Sequence, residues 1–259
     1  MDEIDTLGPL RAHPRDAAVV VDFDGTLSPI VDDPASARAA DGAGEALVAL
    51  ADLYGLVAVM SGRPTDFLRT VVPAEVVLSG LYGLEVVRDG ARTDHPDAAP
   101  WRAIVAGVAD AAADTGPAGL DVEPKGLSLT LHYRRHPDIA EAVAAWADAA
   151  AARSGLEARP AKMSVELHPP IPADKGTALE ALAAGFRAVC YVGDDRGDLP
   201  AFDALDRMAG RGVHCVRVAV DSHEAPAELL ARADLVVDGP SAAVALLRRL
   251  AQPSSAGGS

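Results

Sequence analysis

Apolar positions follow two rhythms along the chain. Ala17–Val21, Leu56–Met60 and Ala188–Val192 are apolar at every position, as strands buried on both faces of a parallel sheet are. Longer stretches between them carry apolar residues at helical spacing. Leu47, Leu50 and Leu53 run up to Gly55 behind Asp41 as a candidate N-cap. Further helices are expected over 66–72, 175–185 and 243–250, and further short strands over Val76–Leu78, Leu84–Arg88, Val213–Val220 and Leu235–Val237. Asp89-Gly90 is a hairpin signal. Strands alternating with helices predict a parallel sheet with crossover helices.

The rhythm changes after Pro96–Pro100. A helical pattern over 101–114 leads into "GPAGLDVEPKGLSLTLHYR", where Leu127, Leu129 and Leu131 point one way and Ser128, Thr130 and His132 the other. That alternation predicts an antiparallel strand with one covered face. An Ala-rich helix (Ile139–Arg153) and a second alternating strand, "AKMSVELHPP", complete a helix–strand–helix–strand block. The expected fold class is therefore α/β. A Rossmann-like parallel-sheet core comes from residues 1–100 and 172–259, with an inserted α+β domain at 101–171. The final "QPSSAGGS" reads as a flexible tail.

Composition narrows the function classes. A chain of 259 residues with 49% hydrophobic and 24% charged residues can bury a real core. The net charge of −15 and the lack of a basic patch argue against a nucleic-acid partner. No stretch of ~18 apolar residues is available to span a membrane. The acidic, polar start "MDEIDTLGPLRAHPRD" does not read as a signal peptide, so a cytoplasmic location is expected. Cys190 and Cys215 lie in apolar runs without a CxxC spacing and read as reduced, buried thiols.

Three apolar strands end in polar clusters: Asp22/Asp24/Thr26, Ser61/Gly62/Arg63 and Gly193/Asp194/Asp195. In an open parallel sheet those ends form the crevice in which ligands bind. Gly25 allows a bend behind two aspartates, and a hard cation such as Mg²⁺ would take carboxylates from Asp22, Asp194 and Asp195 together with substrate phosphate oxygens. An isolated D-x-D is more often a turn than a site; behind a valine run and before Gly-Thr, the chemical reading is favoured.

"DFDGTLSP", "SGR" after Met60, Lys175 in "DKG" and "GDDRGD" together, in this order, resemble the four motifs of the haloacid dehalogenase superfamily of phosphotransferases. The resemblance implies an Asp22 nucleophile that forms an aspartyl phosphate and Asp24 as general acid, then base. It implies that Lys175 and Mg²⁺ offset the charge, and that Thr26, Ser61 and Gly62 hold the phosphoryl oxygens. Mg²⁺ would sit on Asp22, the Asp24 carbonyl and Asp194, with Asp195 and Asp198 in support.

The inserted block narrows the resemblance. "E-x-K…HYR" and "K-x-x-x-E-x-x-P…KG" with the core motifs look like the trehalose-6-phosphate phosphatase family over most of residues 17–205. That likeness implies a Mg²⁺-dependent phosphatase acting on a sugar phosphate, trehalose 6-phosphate, with functional coupling to a trehalose-6-phosphate synthase. It implies substrate contacts from Glu123, Lys125 and Glu166, and from Arg63, His132, Arg134 and Lys162. An exposed sheet face decorated with charges is the plain alternative for these cap residues. The chain departs from the family pattern at Gly197, Leu199 and Pro200 in the fourth motif, and at Tyr82, where a histidine is usual. Sucrose phosphate, a glycosyl-glycerate phosphate or a pseudo-disaccharide phosphate remain alternative substrates. From other classes, a receiver-like phospho-acceptor would need no counterpart of Asp24, and a catalytically dead sugar-phosphate binder would not need all four motifs.

Overall fold

The computed structural model describes residues 3–31, 34–161, 163–222 and 225–252. The chain divides into two compact units, residues 1–93 with 173–259, and residues 94–172. Helix α1 (Glu3–Ala12) precedes strand β1 (Ala17–Asp22), followed by α2 (Ala43–Ala51), β2 (Leu56–Met60), α3 (Thr65–Leu68), β3 (Val77–Gly80), β4 (Glu85–Arg88) and β5 (Ala91–Asp94). The second unit contains α4 (Trp101–Thr115), β6 (Asp121–Pro124), β7 (Leu129–His132), α5 (Ala140–Ser154), β8 (Glu157–Ala161) and β9 (Ser164–His168). The first unit then resumes with α6 (Lys175–Leu182), β10 (Ala188–Gly193), α7 (Leu199–Ala209), β11 (His214–Asp221), α8 (Ala227–Arg232), β12 (Leu235–Asp238) and α9 (Gly239–Leu250).

Eight strands form one sheet in the order β12-β11-β10-β1-β2-β3-β4-β5. Neighbours from β12 to β3 run parallel, and β4 is antiparallel to β3. The winding leaves β1 in both directions, to β2 and β3 on one side and to β10, β11 and β12 on the other. The carboxyl ends of β1 and β10 therefore flank the topological switch point, where open α/β sheets bind ligands. Register brings the ends level: Asp22 lies beside Met60, and Val21 beside Val192.

The unbroken apolar run of β1 follows from two cores. Val19 and Val21 join a cluster with Leu47 and Leu50 of α2 and Leu246 and Leu247 of α9. Ala18 and Val20 join a second with Leu179 of α6 and Phe202 and Leu205 of α7. Neither face meets water, so alternation disappears from the sequence.

Several local expectations need correcting. Gly42, not Asp41, is the N-cap of α2, in the left-handed region (φ 77°) and without a side-chain cap. α3 is four residues rather than seven. Helices α1, α7 and α8 had no sequence counterpart. Pro9 inside α1 and Pro200 at the start of α7 obscured two of them; of these, only Pro200 sits in a first turn, where proline is tolerated. Asp89 and Gly90 both take positive φ (52° and 76°), as a two-residue hairpin turn requires. Both cysteines are free, Cys190 buried but Cys215 only partly so.

The second unit is an antiparallel sheet in the order β6-β7-β9-β8. The first alternating stretch proves to be a hairpin, β6 and β7, rather than one strand: Lys125 N–H donates to Ser128 O (2.8 Å) across a turn with Gly126 at φ 83°. The second is a single strand, β9, as expected. Val105 and Ala109 of α4 and Val143 and Ala147 of α5 pack on Leu129, Leu131 and Leu167. On the polar face Ser128, Thr130, Glu166 and His168 are buried as well, so it is not the solvated face that alternation suggests. Of the expected flexible tail, residues 252–259, Gln252 is tied to Arg249 O through its N–H (3.2 Å), and residues 253–259 lie outside the described residues. No helix among the described residues is long and apolar enough to cross a membrane.

Candidate active site

β1 ends at Asp22, and the chain turns at once. Gly25 (φ 79°) donates to Ser28 O at 2.8 Å, while Leu27 and Ser28 N–H both donate to Phe23 O. This loop brings the buried Thr26 hydroxyl 3.0 Å from Asp194 Oδ1, to which it donates. A Cβ at position 25 would lie 2.0 Å from Asp194 Oδ2. Only glycine gives both the backbone conformation and the close approach.

The "DKG" string is a helix start with each residue fixed. Asp174 accepts from Thr177 N–H (2.7 Å), and Thr177 Oγ1 accepts from Asp174 N–H (3.0 Å), a reciprocal capping box. Gly176 lets α6 press on α7, because a Cβ there would sit 2.3 Å from Pro200 O. Lys175 is thereby held inside the protein, 2.7 Å from Asp22 Oδ1 and 2.6 Å from Asp198 Oδ1.

Asp198 is saturated. Its Oδ1 accepts from Lys175 and from the Tyr191 hydroxyl (2.6 Å), and its Oδ2 accepts from the N–H groups of Asp194 (2.8 Å) and Asp195 (3.0 Å). Burial alone would raise its pKa, but Lys175 and these donors hold it below the ordinary carboxylate value. Asp22 has fewer donors. Burial pushes it well above the ordinary value, Lys175 offsets only part, and Asp198 and Asp194 push it further up. Burial, then Asp198 and Asp195, raise Asp194 to about 7. Lys175 stays protonated: burial would lower it, yet Asp198 and Asp22 carry it well above its ordinary value.

Carboxylate oxygens of Asp22, Asp194 and Asp198 lie within 4.8 Å of one another. Three buried carboxylates against one ammonium leave an excess of negative charge that burial penalises. Asp194 Oδ2 is buried without a hydrogen-bond partner among the described residues. A hard divalent cation fits this donor set, with Asp22 and Asp194 the free ligands and the saturated Asp198 fixing the loop around them. Asp195 is exposed and caps the next turn by accepting from Gly197 N–H at 2.8 Å. The loop keeps this form with Gly197, Leu199 and Pro200 in place.

At the end of β2, Ser61 is buried and its Oγ accepts from Arg63 N–H (3.1 Å). Tyr82 N–H donates to Ser61 O (3.2 Å) and Leu81 N–H to Arg63 O (3.0 Å). Leu81 and Tyr82 both have positive φ (50° and 58°), strain of about 1–3 kcal/mol each that surrounding structure must offset. A Cβ on Gly62 would lie 2.6 Å from the Tyr82 hydroxyl oxygen. The buried Glu85 accepts from Thr65 N–H and Oγ1 and pairs with Arg92, anchoring the start of α3. Arg63 grips Asp24 through both carboxylate oxygens, each at 2.7 Å.

In the second unit Glu123, Thr130 and Glu166 are directly opposed across β6, β7 and β9. His132 Nε2 is 2.8 Å from Glu123 Oε2, and Lys125 Nζ lies 3.9 Å from Glu123 and 3.7 Å from Glu166. Ser128 Oγ donates to Glu166 Oε1 at 3.1 Å. Arg134 stays outside this cluster, exposed in the turn after β7. Lys162 lies outside the described residues.

Sequence reasoning missed Tyr191, Ser128 and the Arg63–Asp24 pair. Tyr191 sits in mid-strand among apolar residues, where nothing marks it as polar machinery. Thr26, expected on phosphate, donates its hydroxyl to Asp194 Oδ1.

Residues 20–234 match the family described as trehalose-phosphatase. A protein described as a trehalose-phosphate phosphatase of Mycobacterium avium is 35% identical over 251 residues, covering 92% of this chain and 62% of that protein. An uncharacterized glycosyl hydrolase of Mycobacterium tuberculosis is 36% identical over 218 residues, 77% of this chain and 16% of that protein. The chain thus spans less than two thirds of the length of these relatives. A crystal structure of a trehalose-6-phosphate phosphatase related protein superposes with a TM-score of 0.77 at 20% identity, covering 90% of this chain and 96% of that one. That likeness shows the fold, the α/β sheet of haloacid dehalogenase-like hydrolases. By the family match and these relatives together, the chain belongs to the trehalose-phosphatase family.

Proposed function

We propose that this protein is a Mg²⁺-dependent phosphatase that hydrolyses trehalose 6-phosphate to trehalose and phosphate. The observation that carries the reading is the buried constellation of Lys175, Asp22, Asp194 and Asp198 at the switch point of the sheet. Asp22 Oδ attacks phosphorus, and the bond from phosphorus to the sugar oxygen breaks as Asp24 delivers its proton to that oxygen. Asp24, now a carboxylate, takes a proton from a water that attacks the aspartyl phosphate, releasing phosphate and restoring Asp22. Lys175 orients Asp22 and balances charge, while Ser61 and the backbone beside Gly62 hold the phosphoryl oxygens. Magnesium held by Asp22, Asp194 and the Asp24 carbonyl would supply charge neutralisation at the phosphoryl oxygens.

Residues 1–100 and 172–259 act as the catalytic core in this reading, and residues 101–171 as the specificity domain. Glu123, Lys125 and Glu166, with His132, form the polar cluster suited to sugar hydroxyls. A panel of phosphate esters, including sucrose phosphate and a glycosyl-glycerate phosphate, assayed for phosphate release with Mg²⁺ and with a chelator, tests both parts. Preferred, chelator-sensitive release from trehalose 6-phosphate supports them. Preference for another ester overturns the substrate assignment.

A further inference from the structure

Asp24 is the first acidic group after Asp22, but it lies beyond the end of β1, so sheet geometry does not fix its side chain. Arg63 does. Its Nε donates to Asp24 Oδ2 and its Nη2 to Asp24 Oδ1, both at 2.7 Å, the two-pronged geometry that sets a carboxylate's plane as well as its position. The remaining Nη1 donates to Pro34 O at 2.7 Å. The guanidinium also stacks 4.2 Å from the Phe67 ring centroid and 5.8 Å from that of Phe23. Phe23 and Phe67 meet edge to face with centroids 5.9 Å apart. Arg63 N–H is tied to Ser61 Oγ and Arg63 O accepts from Leu81 N–H. Backbone and side chain are thus both committed, and all three guanidinium nitrogens already have partners.

We propose that Arg63 is a positioning residue for Asp24 rather than a contact for the sugar. This rests on the reading of the site as a phosphoester hydrolase. The grip leaves one lone pair on each carboxylate oxygen, and it fixes the direction in which they point. Proton delivery to the leaving oxygen depends on that direction. Ser61 and Asp24, from the ends of two neighbouring strands, are held in one frame because Arg63 binds both.

The leaving group makes the role measurable. A sugar alkoxide needs a proton as the phosphorus–oxygen bond breaks, whereas 4-nitrophenolate departs without one. We would measure kcat/KM with Mg²⁺ for trehalose 6-phosphate and 4-nitrophenyl phosphate in Arg63→Lys, Arg63→Gln, Asp24→Asn and the Asp24→Asn/Arg63→Gln double variant. Thermal unfolding of each variant checks folding. Lysine keeps the charge and stem but cannot bridge both oxygens, so Arg63→Lys remains informative if the glutamine variant folds poorly.

The expected result is a loss of about 100-fold for trehalose 6-phosphate, the scale of general acid catalysis. In kcat/KM, which ends with release of the leaving group and so does not include the water attack that Asp24 assists, the nitrophenyl ester should change by no more than about twofold, and the double variant should fall within about twofold of Asp24→Asn alone. Equal losses on both esters, losses that multiply in the double variant, or a raised KM with unchanged kcat on the sugar ester would overturn the inference. Failure of the wild type to cleave either ester would instead bring down the functional reading, and this inference with it.

Discussion

Lys175 Nζ lies 2.7 Å from Asp22 Oδ1 with both side chains almost fully buried. A buried pair of this kind is strongly destabilised when one partner goes, because the other charge is left without compensation. Lys175→Met should lower unfolding stability by about 3–5 kcal/mol, measured by denaturant titration. Adding Asp22→Asn should return part of that loss by removing one of the stranded carboxylates. A Lys175→Met variant as stable as wild type would contradict the buried ion pair.

Asp194, whose Oδ2 has no hydrogen-bond partner among the described residues and whose Oδ1 accepts from Thr26, gives a second prediction. Magnesium should raise the unfolding midpoint of the wild type, by an amount worth about 2.7 kcal/mol at one hundred times its dissociation constant. Asp194→Asn should abolish the rise, and Thr26→Val should weaken it. Asp198→Asn should act differently, lowering stability already without metal, because the new amide would face donors that now meet a carboxylate. Undiminished stabilisation of Asp194→Asn by Mg²⁺ would put the cation elsewhere.

What was legible in the sequence was local. Asp22, Asp24, Ser61, Lys175 and Asp194 stand next to strand ends and helix starts, and short strings such as "DKG" encode a cap, a charge and a close helix approach together. The α/β fold was legible for the same reason: Val19 and Val20 face different cores, and the resulting unbroken apolar run is itself a signal. Contacts between distant segments left no such trace. Thr26 and Asp194 are separated by 168 positions, and nothing near Thr26 says that its hydroxyl turns toward a carboxylate. The Arg63–Asp24 grip was invisible because an arginine after Ser-Gly reads equally well as a ligand for substrate. Helix α7 was hidden by Pro200, and the β6–β7 hairpin of the second unit by alternation that continues through its turn.

Glycines at helical positions separate propensity from packing. Gly107 in α4 would meet nothing within 4 Å if given a Cβ, whereas Gly176 in α6 would meet Pro200 O at 2.3 Å. Gly107→Ala should stabilise by about 0.5–1 kcal/mol through helix propensity. Gly176→Ala should destabilise by about 1–3 kcal/mol, since backbone must move to relieve the overlap. It should also reduce turnover, because Lys175 moves with the start of α6. The same substitution thus carries opposite signs at two sites, and equal shifts in denaturant midpoint would refute the close α6–α7 approach.

His168, in β9 with its Cα opposite Glu157 of β8, supplies a pH signature. Its Nε2 is buried without a hydrogen-bond partner among the described residues. Burial lowers its pKa from the ordinary 6.5 to about 4; Arg159 pushes the same way and Glu157 opposes. Between those values the unfolded chain binds a proton that the folded chain refuses. This contribution to stability is therefore complete above about pH 6.5 and is lost as the pH falls toward 4, with a total of at most about 3 kcal/mol. Acidification protonates other groups too, so the informative quantity is the difference between wild type and His168→Phe, whose ring cannot titrate. The wild type should lose more stability than the variant between pH 6.5 and 4, as measured by denaturant unfolding at fixed ionic strength. Parallel curves over that range would mean that His168 titrates alike in the folded and unfolded chain, and that its nitrogen is not sealed in the sheet of the second unit.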